Sequence, residues 1–132
     1  ILELFIQKKF TNHYLIRLPI VYGKNFSKNF LYDLINKNNI DQLNGNDRVQ
    51  IYEVSNLKKH FQYMETKKIS KLNASSSPIK LSFIAKNFFK TEVNFKKKYR
   101  KINIKSIYGS KNNNYFLSNK KTVSDLKKFL QK

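Results

Sequence analysis

Few side chains in this sequence can move a proton or attack a bond, and most of them stand alone. There is no cysteine, which excludes a thiol nucleophile, a disulfide framework and a cysteine-based zinc site. Histidine occurs only at His13 and His60, too few for a multi-histidine metal centre. General acid–base catalysis needs two titratable groups with separated pKa values. The eight acids are Glu3, Asp33, Asp41, Asp47, Glu53, Glu65, Glu92 and Asp125, and none pairs with another in a predicted cleft. They read as solvated surface carboxylates. His13 reads as a surface turn residue and His60 as the flank of an apolar helix face. No serine sits in a G-x-S-x-G elbow. The three glycines, Gly23, Gly45 and Gly109, lie too far apart for a phosphate loop. Tyr63-Met-Glu-Thr-Lys67 spells Tyr-x-x-x-Lys, which on a helix sets a phenol beside an ammonium and can lower the phenol pKa. Chance alone gives roughly 1.5 such matches in a chain this rich in Tyr and Lys. Gln50 and Ile51 stand where a partner serine would be wanted, so the motif is read as coincidence.

The elements that must position any site belong to a chain of 132 residues with 40% hydrophobic and 14% aromatic residues. That composition suits one globular domain or a large piece of one, not a disordered tail. The 27 basic and 8 acidic residues give a net charge of +19. Arg occurs only at Arg17, Arg48 and Arg100, so lysine makes up the rest. Lysine, Asn, Ile, Phe and Tyr share A/T-rich codons, and geometric phosphate recognition favours Arg. The lysines are scattered rather than in one stripe, so codon bias is the preferred source of the charge. The apolar run over residues 14–22 is interrupted by Arg17 and Pro19 and is too short to span a bilayer. No cleavable leader is visible, and a cytoplasmic location without membrane contact is expected. The first residue is Ile1 rather than Met, which suggests a start farther upstream or an excised piece.

Leu2, Phe5, Ile6 and Phe10 share one helical face, with Asn12 as its expected stop. Residues 14–22 read as one buried parallel strand, with Pro19 marking where regular pairing ends. Ser27 and Asn29 are both candidate caps for a helix carrying Leu31, Leu34 and Ile35. Residues 48–54 read as a second strand, and Asn56 caps a helix through Leu57, Phe61 and Met64. Residues 72–77 are extended, and Pro78 leads into a helix with Leu81, Ile84, Ala85 and Phe88 on one face. Ile102 and Ile104 suggest a brief strand, and residues 111–114 a loop. Thr122 and Asp125 form a capping box for a final helix through Val123, Leu126 and Leu130. There is no repeat and no linker, and the alternation predicts an α/β fold or part of one.

Leu15-Ile-Arg-Leu-Pro-Ile-Val-Tyr-Gly23 resembles the strand after the catalytic helix in the extended short-chain dehydrogenases/reductases, the superfamily of NAD-dependent nucleotide-sugar epimerases, dehydratases and reductases. The order downstream is similar. Residues 28–35 resemble the helix whose leading Asn contacts the sugar nucleotide. Residues 49–57 stand where the family has a strand entering a helix through paired acids. Residues 72–79, with Leu81, Ile84 and Ala85, resemble its "Asn-(small)-x-x-Pro-(apolar)…Ile-Ala" segment, and residues 122–130 its closing helix.

The resemblance covers most of the chain and implies a partial Rossmann-like fold. Residues 1–132 would form a single partial domain: the last parallel strand or strands plus the small α/β substrate-binding lobe. The dinucleotide-binding half and the catalytic Tyr/Lys couple would precede Ile1. The implied cofactor is NAD or NADP, the implied ligand a nucleotide sugar used in polysaccharide biosynthesis, and the parent a possible homodimer. By position, Leu18 and Pro19 approach the nicotinamide, while Lys24, Lys28 and Asn29 meet the nucleotide-sugar phosphates. The family's Arg-Asp is replaced by Val49-Gln50 and its acidic pair by Ser55-Asn56, which leaves Arg48 as a one-residue substitute for the phosphate-reading Arg. Lys80 stands where a capping Ser or Thr is usual. The chain would bind substrate but catalyse nothing alone. Such a remainder is expected to be marginally stable, because its first strand would expose apolar faces that the missing half covers.

Two rivals stand beside it. In a small basic nucleic-acid-binding protein, Phe88, Phe89, Phe95 and Tyr99 would stack on bases beside Lys96, Lys97, Lys98 and Arg100. The dehydrogenase-like reading expects only sequence-blind binding to nucleic acid. A pseudoenzyme or scaffold fragment is the other rival.

Overall fold

The computed structural model describes residues 1–109 and 114–131. The expected loop at Lys111 to Asn113 lies outside them. Among the described residues the chain forms five α-helices and six short strands: α1 (Leu2–Lys9), β1 (Leu15–Arg17), β2 (Ile20–Tyr22), α2 (Phe30–Asn36), β3 (Arg48–Val49), β4 (Ile51–Glu53), α3 (Leu57–Thr66), β5 (Lys71–Asn73), β6 (Ile79–Lys80), α4 (Leu81–Phe89) and α5 (Asn119–Leu130). The fold is mixed α/β. β1 pairs with β5 and β2 with β4, both parallel, and β3 pairs with β6 antiparallel. No helix among the described residues is long and apolar enough to cross a membrane.

The single strand expected over residues 14–22 is two strands with different partners. β1 aligns Ile16 with Leu72, whereas β2 aligns Val21 with Tyr52. The bend falls at Pro19, which has no N–H to give to a ladder. The expected strand over residues 48–54 is likewise split: Gln50 interrupts it, and Val54–Asn56 closes into a 3₁₀ turn. The brief strand expected at Ile102 and Ile104 is only a bridge between Lys101 and Arg48.

The main core lies where α2, α4 and α5 meet β2 and β4. Leu31, Leu34, Ile51, Leu81, Ile84 and Leu126 are all buried there. The 3.6-residue spacing of the apolar positions in α2 and α4 produces this packing. Asn29 caps α2 by accepting from the N–H groups of Leu31 (2.9 Å) and Tyr32 (3.4 Å). The other end groups differ from expectation. α1 stops at Phe10, two residues before Asn12. Asn56 makes no cap and instead donates to Asp125 (3.0 Å). The predicted capping box is displaced: Ser118 caps α5 by accepting from the Lys121 N–H (3.2 Å), and Thr122 is buried inside the helix. Asp125 is thereby free to pair with the Lys121 ammonium.

α1 contributes nothing to this core. None of its residues is buried, and Leu2, Leu4, Phe5 and the following Phe10 stay more than half exposed. Its visible tie to β1 is the ion pair between Glu3 and Arg17, and exposed pairs contribute little. Urea unfolding of the full chain should therefore show Leu2→Ala and Phe5→Ala within about 0.5 kcal/mol of the parent. Leu31→Ala and Ile84→Ala should each cost about 2–5 kcal/mol.

Candidate functional site

The site is built by an irregular strap, residues 94–105, laid across the polar turn before β3. Along it, even-numbered residues turn their backbone inward. Gly45 N–H donates to Asn94 O (2.7 Å) and Arg48 N–H to Arg100 O (2.8 Å), while Ile102 N–H donates to Arg48 O (3.0 Å). Side chains complete the attachment. Asn44 accepts from Lys96 N–H (3.0 Å) and donates to Lys98 O (2.8 Å). Gln50 accepts from Ile104 N–H (2.7 Å), and its amide N–H groups donate to Ile104 O (2.8 Å) and Ser76 O. Gln50 is fully buried, and these bonds compensate its desolvation. Gly45 lies under the Phe95 ring, and a Cβ there would meet it at 2.8 Å and push this exposed side chain aside.

Asp47 fixes the strap at Arg100. It is 2% exposed and accepts from Arg100 N–H (2.8 Å) and Arg100 Nε (3.0 Å), with Arg100 Nη2 at 2.9 Å. Charge-assisted bonds of this kind hold a guanidinium in one plane. Arg100 keeps donors in hand, because the fork carries five N–H groups. Beside it lies a groove of about 170 Å³ walled by Ile20, Phe30, Val49, Leu81 and Ile102, with Asn29 at its rim. The walls are apolar, and the polar groups are an amide and a cation. At about 170 Å³, below the roughly 300–1,000 Å³ of pockets that enclose a whole ligand, the groove has room for one ring or one anionic group of a larger ligand lying along the surface.

Asn29 is the sequence-predicted residue that the structure brings to this groove. Its backbone (φ 100°, ψ 172°) lies in a region nearly restricted to glycine, at a cost of about 1–3 kcal/mol. Its side chain holds it there, capping α2 and donating to Val21 O (2.9 Å). The other predicted residues lie elsewhere. Leu18 is half-buried against Tyr52, Ala74 and Leu117. Pro19 forms the bend next to Ile20. Lys28 is exposed before the cap, and Lys24 lines a separate groove of about 690 Å³ with Phe26, Tyr32 and Phe129. Arg48 is exposed, and strand alternation turns it to the face opposite Val49. The arginine that lines the groove is thus Arg100, which the sequence reading named only for the nucleic-acid rival. Asp47 and Arg100 are 53 residues apart, and no local spacing links them.

The histidines and the Tyr-x-x-x-Lys motif form no second site. Tyr63 packs on Phe116, with ring centroids 5.4 Å apart, and Lys67 ends α3. His60, expected at a helix flank, is buried, with its Nδ1 hydrogen-bonded to the Tyr52 hydroxyl (2.6 Å) and its ring edge-on to Phe116. No group of three or more His, Asp or Glu among the described residues could hold a metal ion. Burial lowers the His60 pKa below its ordinary 6.5, and the Lys121 and Lys59 ammonium groups lower it further, against an upward pull from Asp125. Burial also pushes the Tyr52 phenol up.

Comparison with protein-family models, with curated proteins and with solved structures gives no match.

Because the folded His60 binds its proton less readily than the unfolded one, its contribution is full above pH 6.5 and is lost as the pH falls through the lowered folded value. The urea midpoint of the parent should therefore drop between pH 7.5 and pH 5.5 by more than that of His60→Gln. Equal drops would remove His60 as the cause.

Proposed function

We propose that the chain is the substrate-binding part of an extended short-chain dehydrogenase-like protein and holds a nucleotide-linked sugar. One observation carries this reading: the groove sets Asn29 beside Val49. By resemblance, Asn29 leads the sugar-nucleotide helix, and Val49 stands where the family has its phosphate-reading Arg. Arg100 of the strap lines the same groove, with its guanidinium held on Asp47. The strained Asn29 backbone is further support, since such strain gathers at ligand sites.

The parallel pairs also fit a remainder of a larger sheet. Isolated two-stranded sheets are marginal in water, and parallel strands normally lie under helices on both faces. The exposed apolar residues of α1 are a surface that a further segment could cover.

In this reading Arg100 pairs with a diphosphate oxygen, Asp47 keeps the guanidinium aimed, and the apolar walls take the base or sugar face. A nicotinamide dinucleotide supplies hydride chemistry in the parent, but the residues here do not fit one by themselves. Leu18 is packed against Tyr52, Ala74 and Leu117, and the three glycines form no phosphate loop. The reaction belongs to residues outside this chain.

Titration of uridine-, guanosine- and thymidine-diphosphate glucose into the isotope-labelled chain tests the proposal by NMR. One of the three should shift the amides of Asn29, Val49, Arg100 and Ile102 at sub-millimolar concentration. Arg100→Gln should weaken that binding about tenfold, the loss of one charge-assisted contact. Shifts spread over the surface lysines instead, or none at all, would contradict it.

A further inference from the structure

The backbone register aligns three cations that the sequence keeps far apart. In the β3–β6 ladder Arg48 stands directly opposite Lys80, and on its other side Arg48 bridges Lys101 of the strap. All three side chains are exposed. Neighbouring strands lie about 4.8 Å apart, so the row crosses about 10 Å of surface. Like charges set opposite one another destabilise a ladder. No acid relieves them: among the described residues none of the three is in an ion pair, and the adjacent Asp47 is buried against Arg100. The residues that alternate with them, Val49, Leu81, Arg100 and Ile102, line the groove, so the row occupies the opposite face. Two residues along the strap from Lys101 stands Tyr99, which is 54% exposed.

We infer that this row, Lys80–Arg48–Lys101, is a binding surface for the backbone of a single-stranded polynucleotide. Three cations in line over about 10 Å carry more charge than one phosphate needs and suit successive phosphates of one strand. The Tyr99 ring supplies a stacking face beside the row. With a lone Arg and two lysines the row reads charge, not base edges, so binding is sequence-blind. The surface is separate from the groove and does not depend on what the groove holds.

Fluorescence anisotropy of a labelled 20-nucleotide oligothymidylate with the full chain, over a series of salt concentrations, tests the inference. Replacing Lys80, Arg48 and Lys101 together by Gln should weaken binding at least tenfold and make the log–log salt slope shallower by about 2, at roughly 0.7 per lost phosphate contact. Lys101→Gln alone leaves the β3–β6 pairing intact and should make it shallower by about 0.7, which keeps the test open if the triple variant misfolds. A control removing equal charge from the helices, Lys8, Lys9 and Lys127 to Gln, should change affinity less than twofold. Equal losses in the control and row variants, no oligonucleotide binding at 20 mM salt, or tighter binding to polyglutamate or phosphatidylserine vesicles would overturn it.

Discussion

Two buried side chains, the carboxylate of Asp47 and the amide of Gln50, hold the strap against the start of β3 and β4. Polar groups in such positions are costly unless every donor and acceptor is met. Here they are met by backbone N–H and C=O groups of Arg100 and Ile104, which lack a regular strand partner. The bargain is mutual: an irregular segment gains an ordered backbone, and the buried polar groups gain partners. Removing Asp47 leaves the Arg100 N–H without its acceptor, and removing Gln50 does the same to the Ile104 N–H. Both faces of the β3–β6 ladder are organised this way, one presenting Arg100 and Ile102, the other Lys101.

A second constraint is the bend at Pro19. A continuous strand would run along one neighbour, whereas the interrupted one reaches β5 with its first half and β4 with its second. The shift places Ile20 beside Asn29 and lets the loop after β2 approach Val54, whose side chain leaves no room for a Cβ at Gly23. The groove therefore depends on proline chemistry at one end and on buried hydrogen bonding at the other. α1 takes part in neither and keeps its apolar residues in water.

The features that repeat over short distances were legible in the sequence. The apolar spacing of α2 and α4 gave their buried faces, and Asn29 was readable as a cap because its side chain acts two residues away. Long-range polar pairing left no such trace. Gln50 meets Ile104 across 54 residues, and no local spacing links the two positions. His60 was misplaced at a helix flank because its partner, Tyr52, lies in a different element. The capping box at Thr122 failed because Ser118 offered a cap one turn earlier. Lysines that look scattered along the chain meet in space only through strand register, as Lys80, Arg48 and Lys101 do. At the groove, Asn29 was readable as the cap of α2, while Arg100 needed the fold to bring it there.

Hydrogen exchange of the amides of Arg100, Ile102 and Ile104 tests the clamp most directly. Each donates to a group in the β3–β4 segment, namely Asp47, the Arg48 carbonyl and Gln50. These three should exchange as slowly as amides of the core strands, while Tyr99 and Lys101 exchange faster, and Gln50→Ala should abolish the protection at Ile104. Exchange of all three at the rate of an unstructured chain would contradict a pinned strap and, with it, the groove and the cation row.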